Sequence, residues 1–485
     1  NNKLRKHRMK IFNSYTGKKE DFTPLDPNHV KIYACGPTVY NYAHIGNARM
    51  AVVFDTLVRV LRLIYPKVTY VSNITDIEDK IIDAANQLDV PIEQITQKYT
   101  DIYNEDMLKL LVKSPDIQPK ATEYIPEMIE LIEDLISKDH AYEKDGHVLF
   151  HVPSYENYGK LSKRNRDEQI AGSRVEIAPF KKDPADFVLW KPSNQMQPGW
   201  DSPWGFGRPG WHIECSAMSE KTLGLPFDIH GGGRDLTFPH HENEIAQSCC
   251  SSANINDPKS YVNYWMHNGF VTVHGEKMSK SLGNISLVKD LTKDNHGEVI
   301  RLSLLSSHYR QALDWNDKVM HQAKKLLDKL YKVFAEIEDI QPSQINESSI
   351  GFLAPLLDDL NTPGLLANLN KIIKDFGSIS HDDLPEFKSK LILASKLMGI
   401  CQEDYQDWFS NDRGGLDINK IEQLISQRLD AKKNKNFDKA DSIRACRIII
   451  EFGNGFVVNK LSSINFCNKS WSKLPQFTPI LMGLS

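Results

Sequence analysis

Residues 30–47 read VKIYACGPTVYNYAHIGN, and this stretch decides the fold. Its first five residues have the apolar, β-branched character of a strand, and the Cys-Gly-Pro that follows ends that strand. Apolar residues then recur at helical spacing at Val53, Leu57, Val60, Leu61 and Ile64. Residues 68–71 are predicted as the next strand, which ends at Asn73. Strand, polar loop, long helix and strand together predict a βαβ unit with a parallel sheet.

A second half of the same kind begins at Phe227. We predict a strand that runs into Gly231-Gly232-Gly233, then a helix opened by Pro239, and then a single strand from Trp265 to Val273. In parallel α/β sheets, ligands bind at the carboxyl ends of the strands. A binding site is therefore expected beside Cys35, where the first strand ends.

Changes of pattern divide the chain into five predicted segments. The insertion between the two halves is rich in charge and in strand-like pieces such as 147–152. After about residue 320, one helical face carries Leu326, Leu327, Leu330, Val333, Phe334 and Ile337, and helical patterns continue to near residue 450. The segments are residues 1–124, the insertion 125–205, the second half 206–320, a helical bundle 321–420 and a C-terminal region 421–485.

Composition places limits on the class of protein. A length of 485 residues predicts three or four domains, and 40% apolar with 25% charged residues is ordinary for a soluble protein. No apolar run reaches the roughly eighteen residues that a membrane helix needs. Seven cysteines scattered over a long chain argue against a disulfide framework. We therefore expect a cytoplasmic protein. The net charge of −4 excludes a basic surface over the whole chain, but not local basic patches.

The tetrapeptide His44-Ile45-Gly46-Asn47 (HIGN) precedes the long predicted helix. A histidine at the mouth of a helix, with a glycine that lets a phosphate or a base approach the backbone, is typical of a nucleotide clamp. Four-residue matches also arise by chance. The flanking strand and helix favour the functional interpretation.

The pentapeptide KMSKS at residues 277–281 follows a predicted strand and a turn. Two lysines on a loop, Lys277 and Lys280, can hold a triphosphate and stabilise charge that develops at the α-phosphate. The alternative is a solvated basic loop, which is the usual meaning of two nearby lysines. The pairing with HIGN upstream favours an enzyme that activates its substrate with ATP.

Four side chains with the chemistry of metal ligands lie around and between these motifs: Cys35, Cys215, His240 and Glu244. His240 and Glu244 are four residues apart, so they share a face of the predicted helix. Two thiolates, an imidazole and a carboxylate suit Zn²⁺. His241 competes with His240, and Cys249 or Cys250 competes for the other places. For each thiol, a buried structural cysteine is the alternative.

With these residues in place, the chain resembles a cysteinyl-tRNA synthetase, a class I aminoacyl-tRNA synthetase. The resemblance spans nearly the whole length and rests on seven motifs in the family's order: CGPTVY at 35–40, HIGN at 44–47, NITDIEDK at 73–80, GRPGWHIECSAM at 207–218, HGGG at 230–233, FPHHENE at 238–244 and KMSKS at 277–281. It implies a Rossmann-type parallel-sheet catalytic domain split by an insertion, followed by an α-helical C-terminal region that binds tRNA.

The resemblance also implies a reaction and its participants. L-cysteine and Mg²⁺-bound ATP would form cysteinyl-adenylate, which a monomeric enzyme would transfer to tRNA(Cys) without any membrane. A single zinc ion would bind the substrate sulfur, since shape alone separates cysteine from serine by only about one to two orders of magnitude.

Site residues follow from the resemblance in four groups. The zinc ligands are Cys35, Cys215, His240 and Glu244, which selects His240 over His241. The amino-acid pocket holds Gly36, Thr38, Thr75 and Trp211. ATP is bound by His44, Gly46, Asn47, Gly233, Asp235, Lys277, Ser279 and Lys280. The catalytic residues among these are His44, Asn47, Lys277 and Lys280.

Two departures from the family pattern stand out. The first signature usually ends in histidine, whereas Asn47 donates a hydrogen bond but cannot become cationic, so a reduced electrostatic role is expected. The tail after about Glu451 lacks a Gly-Thr-x-Trp ending, which puts its contact with RNA in doubt. Basic residues that would contact tRNA phosphates cluster in one predicted helical segment, with a solvated helix face as the alternative: Arg428, Lys432, Lys433, Lys435, Lys439, Arg444 and Arg447.

Three rival functions remain. A ligase that joins cysteine to an amino sugar would share the catalytic half, but the helical region after residue 320 argues against it. A catalytically silent RNA-binding paralogue would not need intact KMSKS and all four metal ligands. A synthetase for another amino acid would not bring its metal ligands to the site.

Overall fold

The computed structural model describes residues 8–172, 180–279, 281–411, 418–434, 436–439, 447–452 and 455–460. Two compact units span residues 1–328 with 341–402 and residues 329–340 with 403–485. The division into five segments proposed above stays a prediction.

The first unit opens with a hairpin and a strand–helix–strand unit. Its elements are β1 (Lys10–Asn13), β2 (Lys18–Asp21), β3 (His29–Ala34), α1 (Ile45–Ile64), β4 (Lys67–Ser72), α2 (Asp79–Leu88) and α3 (Ile92–Lys109). The five apolar residues whose spacing predicted α1 are all buried in it. The predicted βαβ unit is therefore confirmed.

The insertion contains three strands of an antiparallel sheet, and the fourth strand follows just after it. The elements are α4 (Ile125–Ser137), β5 (Ala141–Lys144), β6 (His147–Phe150), α5 (Arg166–Gly172), β7 (Phe187–Pro192) and β8 (Gly207–Pro209). The strand order is β5-β6-β7-β8. The last strand leads directly into the helix that carries Cys215.

The second half supplies two more strands to the parallel sheet. Its elements are α6 (Trp211–Leu223), β9 (Phe227–Gly233), α7 (Glu242–Ser251), β10 (Val262–Asn268), β11 (Val271–Val273), β12 (Glu276–Lys277), α8 (Val288–Asp294), α9 (Gly297–Leu304) and β13 (Leu313–Trp315). The parallel sheet has the order β10-β9-β3-β4, so β3 and β9 from the two halves are neighbours.

The single strand predicted from Trp265 to Val273 is wrong. The chain leaves the parallel sheet after Asn268, and β11 belongs to a separate sheet with β12 and β13. Gly269 makes the break possible: its N–H donates to the Tyr309 carbonyl at 2.7 Å, and a Cβ there would lie 2.3 Å from the Gln311 carbonyl oxygen. Only glycine allows this close approach of two backbones.

The helix predicted to open at Pro239 begins later, since α7 starts at Glu242. Residues Thr237–His241 form a wide π-helical turn, which extended backbone at Phe238 interrupts (φ −141°, ψ 133°). This turn positions the two adjacent histidines, His240 and His241, ahead of Glu244.

The rest of the first unit is helical. After α10 (Asp317–Glu336), which continues into the second unit, come α11 (Glu347–Phe352), α12 (Ala354–Leu357), α13 (Thr362–Asp375) and α14 (Leu384–Met398). Five of the six residues of the predicted apolar face are buried, and Phe334 is half-buried. The helical character predicted after residue 320 is confirmed for this part.

In the second unit, the prediction of helix to near residue 450 is wrong at its end. The described elements are α15 (Tyr405–Asn411), α16 (Ile418–Lys433), β14 (Arg447–Phe452) and β15 (Gly455–Lys460). The last two strands pair in an antiparallel hairpin, which three consecutive β-branched residues at 448–450 favour. The basic segment is therefore not one helix, and Lys435 and Arg444 lie outside the described residues.

A buried ion pair joins α9 to α1. The Arg301 side chain is fully buried and its guanidinium donates to Asp55 Oδ2, to the Thr56 hydroxyl and to three backbone carbonyls of other segments. Those carbonyls belong to Leu110, Leu111 and Met398. The pair thus holds four parts of the first unit together.

In the described part of the chain, no helix is both long and apolar enough to cross a membrane.

Candidate functional site

The site lies at the carboxyl ends of the central strands β3 and β9. Cys35 directly follows β3, and its N–H donates to the Gly231 carbonyl of β9 at 3.1 Å. Helices α6 and α7 and the turn before α7 lie at the same end: α6 carries Cys215, the turn carries His240 and α7 carries Glu244. The position beside Cys35 agrees with the edge where parallel α/β sheets bind ligands.

The four predicted metal ligands come together. One donor atom from each lies within 4.8 Å of the others. The two sulfur atoms are 3.6 Å apart, Cys35 Sγ is 3.6 Å from Glu244 Oε1, and His240 Nε2 is 3.0 Å from the same oxygen. All four side chains are at most 4% exposed. Two thiols, an imidazole and a carboxylate in such a cluster fit the ligand set that Zn²⁺ prefers.

Electrostatics in the cluster favour one thiolate. The hydrogen bond from the Cys35 thiol, together with nearby His240, lowers the pKa of Cys215 to about 6 against the effect of burial. Burial and the Cys215 sulfur raise the pKa of Cys35. A thiolate is the form that binds metal, so the direction of this shift favours Cys215 as a ligand.

A second group of possible ligands consists of Cys35, His230, His241 and Glu244. It shares Cys35 and Glu244 with the first group. His241 Nε2 is 3.3 Å from Cys35 Sγ, so geometry brings both adjacent histidines to the cluster. The buried Nε2 atom of His240 lies 3.0 Å from Glu244 Oε1 but outside hydrogen-bond geometry. Neither group contains Cys249 or Cys250.

Buried polar side chains fix the orientation of the ligands. Glu244 Oε2 is 2.7 Å from His230 Nε2 and accepts from the Tyr261 hydroxyl at 2.7 Å. His240 Nδ1 lies 2.9 Å from His212 Nδ1, and His241 Nδ1 lies 2.8 Å from His267 Nε2. Such outer contacts set the tautomer and direction of metal ligands. Sequence reasoning assigned no role to these four outer residues. His212 and His230 lie inside motifs quoted above, whereas Tyr261 and His267 lie in none of them.

Trp211 forms a wall beside the cluster. Its indole ring stacks on the His240 imidazole, with centroids 4.2 Å apart and planes 17° apart. Trp211 is also the first residue of α6, the helix that carries Cys215. The predicted pocket residue therefore contacts a predicted metal ligand.

The loops after β3 and β4 hold the other predicted pocket residues next to each other. Thr38 and Thr75 pair as an isolated parallel bridge, in which Thr75 N–H donates to the Pro37 carbonyl at 3.0 Å. Gly36 N–H donates to Asn73 Oδ1 at 3.0 Å. A Cβ on Gly36 would lie 1.7 Å from the Asn73 carbonyl oxygen, so only glycine fits there.

His44 and Asn47 together cap the N-terminus of α1, with His44 just before the helix and Asn47 in its first turn. His44 Nδ1 accepts from Gly46 N–H at 3.1 Å, and Asn47 Oδ1 accepts from His44 N–H at 3.1 Å. Burial lowers the pKa of His44, and the nearby carboxylate of Asp235 opposes part of this shift. The predicted residue Gly233 ends β9, with the Asp235 side chain folded over it. The predicted nucleotide residues of the two halves are thus neighbours.

The KMSKS loop lies against HIGN. Ile45 N–H donates to the Ser286 carbonyl at 2.9 Å, and Val288 N–H donates to the Ala43 carbonyl at 3.0 Å. The methyl group of Met278 approaches Gly46. Lys277 is exposed and Ser279 is half-buried, whereas Lys280 lies outside the described residues.

Asn284 closes the loop, and sequence reasoning missed it. Its Oδ1 accepts from Ser279 N–H at 2.9 Å, and its Nδ2 donates to the Lys277 carbonyl at 3.2 Å. The Leu-Gly-Asn after KMSKS was the available signal, because an asparagine next to glycine is typical of a turn closed by a side chain.

Comparison with known proteins gives the site a family context. The family profile described as "tRNA synthetases class I (C) catalytic domain" matches residues 21–325. Cysteine–tRNA ligase of Parvibaculum lavamentivorans is 52% identical over 92% of this chain and 95% of its own length. Cysteine–tRNA ligase of Rhodospirillum rubrum is 50% identical over 90% of this chain and 95% of its own length.

Solved structures agree on the fold. Methionyl-tRNA synthetase of Mycobacterium tuberculosis, in complex with methionyl-adenylate, superposes with a TM-score of 0.53 at 15% identity, over 76% of this chain and 89% of that one. LeuRS of Agrobacterium radiobacter K84, in a complex with tRNA and LeuAMS, gives a TM-score of 0.57 at 12% identity, over 79% and 87%. The class I fold expected from the sequence is confirmed.

Proposed function

The chain belongs to the cysteine–tRNA ligase family of class I tRNA synthetases, and we propose that its active site selects cysteine with a zinc ion held by Cys35, Cys215, His240 and Glu244. Its activity is that of the family, the ligation of cysteine to tRNA. The observation that carries the zinc proposal is the buried cluster of four donor atoms within 4.8 Å. When bound there, zinc supplies a Lewis acid that prefers a thiolate to a hydroxyl.

The proposed reaction has two steps. The carboxylate of cysteine attacks the α-phosphate of Mg²⁺-bound ATP, which gives cysteinyl-adenylate and pyrophosphate. A ribose hydroxyl at the 3′ end of tRNA then attacks the adenylate carbonyl, which gives cysteinyl-tRNA and AMP. Both steps depend on positioning and on neutralisation of charge rather than on a protein nucleophile.

The nucleotide residues act through geometry in this proposal. The caps made by His44 and Asn47 keep the N-terminus of α1 in place, where the positive end of the helix dipole favours an anion. Gly46 and Gly233 let the nucleotide approach the backbone, with Asp235 near the adenosine. Lys277, Ser279 and Lys280 hold the phosphates. The two lysines neutralise most of the negative charge that develops at the α-phosphate, since Asn47 is neutral.

Lys280 can be tested by substitution. Lys280→Ala should slow cysteine-dependent exchange of pyrophosphate into ATP by about 100-fold or more, the effect typical of a group that stabilises transition-state charge. Cysteine binding should stay near normal. An unchanged exchange rate would remove Lys280 from the mechanism.

The choice between adjacent histidines needs a matched pair of variants. We expect His240→Ala to lose stoichiometric zinc and His241→Ala to retain it, as measured by elemental analysis of purified protein. Retention by His240→Ala together with loss by His241→Ala would assign the metal to the second group of ligands.

Pocket and partner proposals can be tested in one assay series. Gly36, Thr38, Thr75 and Trp211 would enclose the amino acid, and tRNA(Cys) would accept it. Charging of a tRNA transcript with cysteine, set against ligation of cysteine to an amino sugar, separates the synthetase from its nearest rival. We expect only the first product.

A further inference from the structure

Arg49 lies in α1 two residues after HIGN, and its side chain is fully buried. Its guanidinium donates to four acceptors outside α1: the carbonyls of Gly269 at 3.0 Å, Phe270 at 2.9 Å and His308 at 3.1 Å, and the Ser307 hydroxyl at 2.9 Å. Among the described residues, no carboxylate pairs with it. A buried cation needs an opposite charge or several hydrogen bonds. Here backbone carbonyls take the place of the carboxylate.

The three carbonyls belong to two segments that pair with each other. Gly269 N–H donates to the Tyr309 carbonyl at 2.7 Å, and Leu313 N–H donates to the Phe270 carbonyl at 2.9 Å. The chain crosses here from the parallel sheet to β11. A guanidinium is planar and holds its donors in a fixed fork, so it bridges converging carbonyls in a geometry that an ammonium group cannot reproduce. Arg49 therefore fixes this crossing to α1.

The same crossing is the start of the segment that carries KMSKS. Phe270 directly precedes β11, and β11 pairs with β12 in a register that places Thr272 opposite Lys277. Lys277 is the first residue of KMSKS. The hydrogen bond from Arg49 to the Phe270 carbonyl thus holds the strand pair that presents the first lysine of the signature.

The other end of this segment is held at the start of α1. Two backbone hydrogen bonds and an isolated bridge join residues 286–288 to residues 43–45. The segment 271–285 is therefore anchored at both ends to the region of HIGN. A segment with fixed ends has less conformational freedom to lose when it orders on a ligand.

We propose that Arg49 is a positioning residue for ATP, which holds the start of the KMSKS segment against the helix that HIGN begins. This inference rests on the proposed function, which assigns the nucleotide to both signatures. The signatures lie in different halves of the catalytic region, so the relative position of the halves decides whether one ATP contacts both. Arg49 belongs to the first half, and its four acceptors belong to the second. It acts through the backbone at 269–270 and not through contact with the nucleotide.

The conservative variant Arg49→Lys is the main test. Lysine keeps the positive charge but lacks the planar fork, so the anchor at 269–270 should loosen. In cysteine-dependent pyrophosphate exchange by the full-length, zinc-loaded protein, kcat/KM for ATP should fall by about 10-fold to 100-fold. The KM for cysteine should change by less than about twofold, since none of the four acceptors belongs to the metal cluster.

Arg301→Lys is the matched control, because Arg301 is another fully buried arginine of the same unit. Its acceptors belong neither to HIGN nor to residues 269–288. The control should lower the denaturant midpoint of unfolding but leave kcat/KM for ATP within about twofold of the wild-type value.

Three results would overturn the proposal. One is an unchanged kcat/KM for ATP in Arg49→Lys. Another is an equal fall in Arg301→Lys, and the third is an equal rise of the KM values for ATP and cysteine in Arg49→Lys. The last two results would indicate a general loss of structure rather than a position set for the nucleotide.

Failure of the proposed function gives a different pattern. Lys280→Ala would then exchange pyrophosphate at the wild-type rate, and the reason for an anchor at the KMSKS segment would fall with it. If Lys280→Ala slows exchange while Arg49→Lys does not, only the role of Arg49 is overturned.

Discussion

Gly36 shows how a single residue without a side chain fixes the site. It follows Cys35, and a Cβ would lie 1.7 Å from the Asn73 carbonyl oxygen. Gly36→Ala must therefore separate the ends of β3 and β4, which moves Cys35 away from Thr75. We expect cysteine-dependent pyrophosphate exchange to fall by about 100-fold, the typical cost of a displacement near 1 Å in an active site.

Gly351 is the matched control for that substitution. It lies in α11, where a Cβ would meet no atom within 4 Å. Gly351→Ala should leave the exchange rate unchanged and raise the free energy of unfolding by about 0.5–1 kcal/mol. Equal activity of the two alanine variants would contradict the role given to Gly36.

Arg301 connects several parts of the first unit and should contribute strongly to its stability. Arg301→Met removes one of the two guanidinium groups that pair with the buried Asp55 carboxylate, the other being that of Arg59, and takes the donor from three backbone carbonyls. We expect a loss of about 3–5 kcal/mol. The denaturant midpoint of unfolding measures this loss. The exposed pair of Arg62 and Asp116 provides a control, because Arg62→Met should cost no more than about 1 kcal/mol. Similar losses in both variants would contradict the account.

The chemistry of single residues was predictable only in part. The types and order of the four ligands pointed to a zinc site, and the structure brings them together. Sequence alone left His240 and His241 as alternatives, since adjacent histidines differ only in direction. The unusual turn at Thr237–His241 turns both toward the cluster. The contact of Tyr261 with Glu244 joins residues 17 positions apart, which no local pattern predicts.

At the scale of elements, the KMSKS loop is held by the two hydrogen bonds of the Asn284 side chain, which we call the clasp. Asn284→Ala removes the bonds to Ser279 and Lys277 and frees the loop to adopt other conformations. We expect kcat of pyrophosphate exchange to fall by about 10-fold, with a smaller change in the KM for cysteine. Asn284→Asp keeps the acceptor for Ser279 N–H and should recover part of the rate.

Leu282→Ala serves as the control for the clasp, since this loop side chain is 59% exposed. It should retain the wild-type rate. A normal rate in Asn284→Ala would show that the loop is positioned without the clasp.

Elements with strong periodicity were predicted well. The helix α1 and the strands β3 and β4 followed from apolar spacing, because tertiary contacts there agree with the local pattern. The strand from Trp265 to Val273 was wrong because Gly269 turns the chain into another sheet, in contact with residues 309–311. The hairpin at 447–460 was missed because charged neighbours suggested that the helix continued.

At the scale of the whole molecule, amino-acid activation and RNA binding should respond differently to salt. Contacts with RNA phosphates release counterions, so the KM for tRNA should rise steeply between 50 and 200 mM salt, by about tenfold or more. Cysteine-dependent pyrophosphate exchange makes no RNA contact and should change little over the same range. Parallel changes in both assays would contradict separate binding surfaces.

The basic pair at the end of α16 tests where those phosphates bind. Lys432 and Lys433 are exposed, and the double alanine variant should raise the KM for tRNA without affecting exchange. Lys371→Ala on α13 is the control, because it removes an exposed charge from another helix. An unchanged KM in the double variant would favour a solvated helix face.

The most direct test of selection by metal is the ratio of cysteine to serine in pyrophosphate exchange, measured before and after removal of zinc. The zinc-loaded enzyme should prefer cysteine by more than the roughly 100-fold that shape alone provides. The stripped enzyme should lose this preference and regain it when zinc is restored. A metal-free enzyme that still prefers cysteine by a wide margin would contradict the account.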